Sequence, residues 1–166
     1  MMEYTACVIT VSDKGSRGER EDKSGPAICE MLEADGWRIV ETVIVPDEID
    51  EIRKAMIRFA DETKACLIVT TGGTGFSKRD VTPEATLSVI ERAAPGIPEA
   101  MRAKSMSVTV RGCLSREAAG LRGDSLIINC PGSVKAVREC LGAVLPALKH
   151  GVEILRGEAG ECGSHA

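Results

Sequence analysis

Aromatic residues and a surplus of positive charge are both missing from this sequence. Aromatic side chains make up 2% of the 166 residues, and the formal net charge is −4 at pH 7. Proteins that bind nucleic acid usually carry a basic face, and those that bind single strands add neighbouring aromatic rings on which bases stack. The composition therefore argues against a nucleic-acid partner and predicts a core built from aliphatic side chains.

Long apolar runs and paired cysteine motifs are also missing. No apolar run approaches the ~20 residues of a membrane span, and the opening stretch MMEYTACVITVSD lacks the charged and apolar regions of a signal peptide. The seven cysteines are scattered, and no two of them have the C-x-x-C spacing of a zinc site. We therefore expect a cytoplasmic protein with reduced thiols and no membrane association.

Histidine is scarce as well. His150 lies late in the last predicted helix and His165 lies near the carboxyl terminus, so both are expected at the surface. The sequence therefore predicts no proton relay through histidine. Phosphoryl-type transfer does not need one, because positioning and charge neutralisation carry such reactions.

What the sequence does contain is a regular alternation of apolar, β-rich runs with helical patterns. This alternation predicts an α/β fold, a three-layer sandwich with a mostly parallel sheet and helices on both faces. Residues 1–156 are expected to form a single domain, followed by a flexible, glycine-rich tail at 157–166. Strands are predicted at 6–11, 38–45, 66–70, 108–114 and 125–129, with a tight connection at 120–123, and helices at 24–35, 48–63, 84–92, 99–106 and 134–155.

Three loops leave the carboxyl ends of apolar strands, beginning at Ser12, Thr71 and Cys130. Each loop is rich in glycine, serine, threonine or aspartate. In open parallel sheets, ligands bind where the carboxyl ends of the strands meet. We therefore expect the three loops to converge on one site.

The most specific local motif is the glycine loop, T-T-G-G-T-G, which includes Thr71, Gly72, Gly73, Thr74 and Gly75. Glycines after a buried strand allow the backbone to approach a ligand and turn its N–H groups toward an anion, and threonine hydroxyls add hydrogen bonds. The motif matches neither the P-loop nor the Rossmann fingerprint. It predicts phosphate binding, with a simple turn that needs positive φ as the alternative.

A charged cluster, Lys78, Arg79 and Asp80, follows the glycine loop. Two cations beside such a loop suit a polyphosphate. A neighbouring carboxylate suits Mg²⁺, which takes one or two protein carboxylates together with phosphates and waters. The alternative is a solvated surface turn.

Further candidates end the other strands. Asp47 follows the second strand and is either a ligand contact or the N-cap of the next helix. Ser12 and Asp13 offer a hydroxyl and a carboxylate to a nucleoside, or else form a cap and a solvated loop. Pro131 and Gly132 precede the last helix, whose N-terminus attracts anions, although a plain strand-to-helix turn explains them equally well.

Taken together, these stretches resemble the molybdopterin adenylyltransferase family, the MogA/MoaB group that includes the G domains of plant proteins and gephyrin. The matching stretches occur in family order over about residues 5–156. They are VSD (11–13), DKSGP (22–26), VPDE (45–48), TTGGTGFSKRDVTPEAT (70–86), LSREAAGLRG (114–123) and LIINCPGS (126–133). The sequence departs from its relatives at Cys130, where they often carry leucine or methionine.

The resemblance implies that the terminal phosphate of molybdopterin attacks the α-phosphate of ATP, with Mg²⁺ present and pyrophosphate leaving. It implies that Asp47 and Asp80 are the essential carboxylates, with Asp80 favoured as the metal ligand. It implies molybdopterin contacts at Ser115 and Arg116, and a homotrimer, with hexamers in some branches. The predicted nucleotide and phosphate pocket comprises Ser12, Asp13, Thr71, Gly72, Gly73, Thr74, Gly75, Lys78, Arg79, Pro131 and Gly132.

Two alternatives remain at this point. The chain is either a catalytically silent relative that binds molybdopterin or nucleotide, or an oligomeric scaffold. The presence of both Asp47 and Asp80 favours an active enzyme over a silent relative, and pyrophosphate release would distinguish an enzyme from a scaffold.

Overall fold

A computed structural model describes residues 3–158, in which the alternation of apolar runs and helical patterns produces alternating strands and helices. In chain order the elements are β1 Thr5–Val11, α1 Asp13–Ser16, α2 Ser24–Ala34, β2 Arg38–Val45, α3 Ile49–Ile57 with a π-helical turn Arg58–Glu62, β3 Leu67–Thr71, α4 Thr82–Val89, β4 Arg92–Ala93, α5 Gly96–Val108, a 3₁₀ turn Val110–Leu114, β5 Ala119–Arg122, β6 Ser125–Cys130 and α6 Val134–Arg156.

The strands form one six-stranded sheet in the order β2-β1-β3-β6-β5-β4. The first four of these are mutually parallel, whereas β5 pairs antiparallel with both β6 and β4. Strands β3 and β6 are buried along their whole length, as expected for central parallel strands covered on both faces. The edge strand β2 is only partly covered.

Helices cover both faces of the sheet, which confirms the predicted three-layer α/β architecture. Because side chains alternate along a strand, Ala6 and Val8 of β1 face one layer and Cys7 and Ile9 face the other. Helices α2, α5 and α6 pack on the first face, and α3 and α4 pack on the second. Within residues 3–158 no helix is both long and apolar enough to cross a membrane.

The predicted strand at 108–114 is wrong. Helix α5 continues to Val108, and the segment then forms the 3₁₀ turn, with the Thr109 hydroxyl accepting a hydrogen bond from the Arg111 N–H at 3.4 Å. The alternating pattern was a misleading signal for a strand. Val108, Val110 and Leu114 are exposed, so a strand here would bury no apolar face.

The predicted connection at 120–123 is also wrong, because residues 119–122 form β5. The turn is at Gly123 and Asp124, and it joins β5 to β6 as an antiparallel hairpin. Helix α4 ends at Val89 rather than at 92, and Arg92 instead pairs with Leu121 in β4.

The carboxyl-terminal helix α6 begins as predicted, with the Ser133 hydroxyl accepting a hydrogen bond from the Ala136 N–H at 3.2 Å. Gly157 ends the helix in the left-handed conformation, and the Glu158 N–H donates to the Glu153 carbonyl. The first two positions of the predicted tail therefore belong to the helix cap, and positions 159–166 lie outside the described residues.

Candidate functional site

Four parallel strands, β2, β1, β3 and β6, end at the same edge of the sheet, and a cavity of about 540 Å³ opens there. Residues from the loops after all four strands line it. Of the residues predicted from the sequence, the cavity wall contains Ser12, Asp47, Thr71, Gly72, Gly73, Asp80 and Gly132. The other lining residues are Thr10, Val11, Gly15, Arg20, Glu21, Asp22, Lys23, Ser24 and Val134.

The glycine loop closely approaches the neighbouring strands. Gly72 has φ of 95°, and a Cβ atom there would lie 2.4 Å from the Val11 carbonyl oxygen. The Gly72 N–H donates to the Cys130 carbonyl at 3.1 Å, and the Thr71 hydroxyl donates to the Pro131 carbonyl at 2.7 Å. These contacts join the loops after β1, β3 and β6, and only glycine fits at position 72.

Thr82 supports the glycine loop from the start of α4. Its hydroxyl donates to the Gly72 carbonyl at 2.9 Å, and its N–H donates to the Gly73 carbonyl at 3.1 Å. Thr82 is the first helical residue, and Val81 occupies the cap position without a capping side chain. The threonine side chain therefore fixes the loop instead of capping the helix.

Asp13 and Asp47 contact one another across the ends of β1 and β2. The Asp13 N–H donates to the Asp47 carboxylate at 2.7 Å, and the Asp47 N–H donates to the Asp13 carboxylate at 3.0 Å. Asp47 is not a helix cap, because α3 begins at Ile49 with Glu48 in the cap position and no capping side chain. Its carboxylate is held at the cavity wall instead.

Burial raises the pKa of Asp47 above its ordinary value, because desolvation disfavours the charged carboxylate. The charges of Asp13 and Asp80 raise this pKa further. The N–H donated by Asp13 and the charge of Arg79 act in the opposite direction and lower it. The carboxylates of Asp13, Asp47 and Asp80 are therefore concentrated at one end of the sheet.

Arg79 pairs with carboxylates around this group. Its guanidinium donates to both oxygens of Asp13 at 3.0 and 2.9 Å and lies 2.8 Å from Glu48. The hydrogen bonds from Arg79 hold the pKa of Asp13 below its usual value. Arg79 and Lys78 line a smaller adjoining cavity of about 210 Å³, which shares Asp47 with the main one. Lys78 and Arg79, the two cations predicted beside the glycine loop, thus line the adjoining cavity rather than the main one.

Asp80 lies in the main cavity wall after the glycine loop. Its Oδ2 atom accepts a hydrogen bond from the Ser77 N–H at 2.8 Å, which fixes the turn that follows Gly75. Within residues 3–158 no three histidine, cysteine or acidic residues are grouped as a metal site. Any metal here would therefore be held by one or two carboxylates and by the oxygens of a ligand.

Arg116 braces the outer side of the glycine loop. Its guanidinium donates to the carbonyls of Gly75 at 2.8 Å and Asp80 at 2.6 Å and pairs with Glu84, while its N–H donates to the Thr74 carbonyl at 2.9 Å. Ser115 has a buried hydroxyl without a partner among the described residues. Neither residue lines the main cavity.

The residues that sequence reasoning missed come from the segment before α2. The Asp22 carboxylate accepts hydrogen bonds from the Thr10 hydroxyl at 2.6 Å and from the Gly25 N–H at 3.0 Å, which ties this segment to β1. Arg20 and Lys23 are its cations in the cavity wall. The signal in the sequence that could have identified these residues is the length and high charge content of the loop at 12–25.

Comparison with known proteins agrees with this geometry. Residues 7–150 match the family described as "Probable molybdopterin binding domain". The molybdopterin adenylyltransferase of Helicobacter pylori J99 is 46% identical over 152 residues, covering 90% of this chain and 86% of that protein. The enzyme of the same name from Escherichia coli K12 is 39% identical over 142 residues, covering 84% and 73%.

The fold has close structural relatives as well. The crystal structure of the molybdopterin biosynthesis enzyme MoaB from Thermus thermophilus superimposes with a TM-score of 0.88 at 44% identity, covering 93% of this chain and 97% of that one. The family match extends over nearly the whole described chain and includes the loops that line the cavity. The chain therefore belongs to the molybdopterin-binding family of molybdenum cofactor biosynthesis proteins.

Proposed function

We propose that this chain is a molybdopterin adenylyltransferase, which transfers AMP from ATP to molybdopterin and so serves molybdenum cofactor biosynthesis. The observation that carries the proposal is the joining of Asp47, Asp80 and the glycine loop in one cavity of about 540 Å³ at the carboxyl edge of the sheet. Relatives at 39–46% identity that match over most of their length are named for this activity. Those names favour an enzyme over a silent relative or a scaffold.

The groups in the cavity suit phosphoryl-type chemistry. Gly72 and Gly73 bring the backbone of the glycine loop to the cavity wall. Gly132, just before α6, and Val134, in its first turn, line the cavity near the positive end of the helix dipole. An oxygen of the molybdopterin phosphate attacks the α-phosphorus of ATP, and the bond from that phosphorus to the bridging oxygen of pyrophosphate breaks. The protein supplies positioning and fixed charge rather than a covalent intermediate.

The residues also fit a magnesium ion that arrives with ATP. Asp80 and Asp47 present two carboxylates to the same cavity, and Mg²⁺ typically uses one or two carboxylates together with phosphates and waters. We assign Asp80 as the metal ligand and Asp47 as the carboxylate that orients the reacting phosphate. The ion would neutralise phosphate charge, while the Asp13 contact keeps the Asp47 carboxylate at the wall.

The proposal is tested by pyrophosphate release from the purified chain with ATP, Mg²⁺ and molybdopterin. Release that requires all three components, together with formation of adenylyl-molybdopterin, is the expected result. Binding of molybdopterin without pyrophosphate release, in the presence of intact ATP binding, would assign the chain to the silent relatives instead.

We further propose that the protein works in the cytoplasm as a homotrimer, with a hexamer as the next assembly to test. Supporting this, Val108, Val110 and Leu114 leave an exposed apolar surface around the end of α5, and surfaces of this kind often mark contacts between protein chains. Sedimentation at micromolar concentration should give the mass of three chains. A single monomeric species would contradict the assembly while leaving the activity open to its own assay.

A further inference from the structure

Residues 20–24, here called the rim segment, place two positively charged side chains in the wall of the main cavity. The segment lies outside the stretches that contain Asp47, Asp80 and the glycine loop. Arg20, Glu21, Asp22, Lys23 and Ser24 all line the cavity together with Asp47, Asp80 and Gly73. The segment follows α1 and ends at the first residue of α2, so it belongs to the connection after β1 rather than to the loop after β3. It is a wall that the predicted nucleotide pocket did not include.

This segment is anchored to the sheet. Asp22 accepts hydrogen bonds from Thr10 at 2.6 Å, Gly25 at 3.0 Å and Ser24 at 3.3 Å. Thr10 belongs to β1, and Gly25 belongs to the first turn of α2. Because the Asp22 carboxylate accepts hydrogen bonds from these three donors, it fixes the position of the nearby Arg20 and Lys23 at the cavity.

Arg20 differs from the other arginines around the site. Arg79 is paired with Asp13 and Glu48, and Arg116 with Glu84 and backbone carbonyls. In the part of the chain that the structure describes, the Arg20 guanidinium has no hydrogen-bond or ion-pair partner. Lys23 is 4.0 Å from Glu21, with both side chains largely exposed. The cations available to a ligand in the main cavity are therefore Arg20 and Lys23.

A nucleoside triphosphate needs such cations here. Asp47 and Asp80 place negative charge where the α-phosphate must react, and an arginine fork matches phosphate oxygens with two donors at once. We propose that Arg20, assisted by Lys23, binds the β- and γ-phosphates of the nucleotide and holds the pyrophosphate leaving group. This inference rests on the proposed adenylyl transfer. The exposed position of both cations suits a group that must depart into solvent.

Calorimetric titration of the full chain in the presence of Mg²⁺ tests this assignment with ATP, AMP and pyrophosphate as probes. Arg20→Ala should weaken binding of ATP and pyrophosphate by about 10-fold or more, the scale of a lost hydrogen bond to a charged group. AMP, which lacks the distal phosphates, should bind as it does to the unmodified chain. Arg20→Lys should restore part of the affinity, and Arg20→Ala with Lys23→Ala should lose more than the single change.

Arg17→Ala is the matched control. Arg17 lies three residues earlier, is similarly exposed and pairs with Glu19, but it does not line the cavity. It should leave the affinity for all three probes unchanged, and both alanine variants should melt at the temperature of the unmodified chain.

Two results would overturn the inference while leaving the proposed function standing. One is an Arg20→Ala variant that binds ATP and pyrophosphate normally in a chain that releases pyrophosphate. The other is weakened binding of molybdopterin with normal ATP binding, which would assign Arg20 to the pterin phosphate. An unmodified chain that binds no ATP would instead overturn the proposed function, and this inference with it.

Discussion

Asp13 and Asp47 exchange backbone-to-carboxylate hydrogen bonds, 2.7 Å in one direction and 3.0 Å in the other. Each aspartate lies two residues after the end of one of two neighbouring parallel strands, so the exchange fixes the spacing of the loops after β1 and β2. Hydrogen bonds to an ionised acceptor are shorter and stronger than neutral ones. The Asp47 carboxylate is thus positioned by the protein itself, which makes its chemical contribution testable by small changes.

Replacing Asp47 or Asp80 with asparagine removes one negative charge while keeping the size of the side chain. We expect each change to lower adenylylation turnover by roughly 10²-fold or more, the usual scale for a lost transition-state contact. The melting temperature should change little, because the asparagine carbonyl still accepts the Asp13 or Ser77 N–H. Turnover at saturating ATP and Mg²⁺ measures the effect, with Asp124→Asn, at an exposed turn far from the cavity, as the control. Near-normal turnover would remove that aspartate from the mechanism.

Alanine at the two central glycines separates folding from binding. At Gly72 the added Cβ lies 2.4 Å from the backbone oxygen of Val11, so Gly72→Ala should sharply lower the melting temperature. At Gly73, where φ is 65°, it meets the Thr82 hydroxyl at 2.4 Å and the Asp47 carboxylate at 3.2 Å, which are side-chain rather than backbone atoms. Gly73→Ala should therefore fold but lose ATP affinity.

The control for both is Gly123→Ala, which also has positive φ but has no neighbour within 4 Å of the new Cβ. It should show only the cost of the left-handed backbone, about 1–2 kcal/mol, with unchanged ATP affinity. Normal ATP binding by Gly73→Ala would show that the nucleotide does not lie against the glycine loop.

Removing the cation of Arg79 should change the pH dependence of the reaction. Arg79 lowers the pKa of Asp47, so Arg79→Met should raise that pKa and move the acid limb of kcat/KM toward higher pH. The melting temperature should change little, because exposed ion pairs contribute little to stability. Arg38→Met, which breaks a surface pair with Glu3 at the opposite edge of the sheet, should leave the profile unchanged. An acid limb that does not move would show that Asp47 is not the titrating group.

Glu117 should make stability depend on pH in the opposite sense from an ordinary ion-paired carboxylate. Its carboxylate is buried, and burial raises its pKa, an effect that the nearby Ser115 hydroxyl and the charge of Arg102 offset only in part. The folded state therefore prefers the protonated form, and stability falls as pH rises from the unfolded-state pKa toward the folded one. Below both values the two states are protonated alike and no penalty remains.

Glu117→Gln should consequently raise the melting temperature at pH 7–8 by several degrees, since 1 kcal/mol corresponds to about 2–4 °C at this chain length. The gain should shrink toward pH 4. Melting curves at both pH values provide the measurement, and Glu62→Gln at an exposed position should change neither. A gain that is equal at both pH values would trace the effect to packing rather than to charge.

Sequence reasoning predicted the central strands, the glycine loop and the meeting of the loops at one sheet edge, because these depend on local apolar runs and turn chemistry. It mistook residues 108–114 for a strand because an alternating pattern does not show whether one side will be covered. The hairpin strand at 119–122 was missed because Gly120 within it and Gly123 directly after it resembled a turn.

The partners of the charged residues were harder to predict. Arg79 pairs with Asp13, which is 66 positions away, and Arg116 contacts Gly75 across 41 positions. Nothing in either local pattern distinguishes an arginine that meets a ligand from one that braces a loop. Arg20 was not predicted as a site residue for the same reason, since its cavity is completed by residues that follow later in the chain.

The hydrogen bonds from Arg116 to the glycine loop affect the rate at which a nucleotide binds in the cavity. One residue, Arg116, donates hydrogen bonds to the carbonyls of Thr74, Gly75 and Asp80, so the glycine loop is held in place without a ligand. Nucleotide capture should then be a single encounter, with an observed association rate that rises linearly with ATP concentration and no slow isomerisation behind it. The glycine loop is then expected to keep the same shape from one turnover to the next, so that Arg116 serves every catalytic cycle without rearranging.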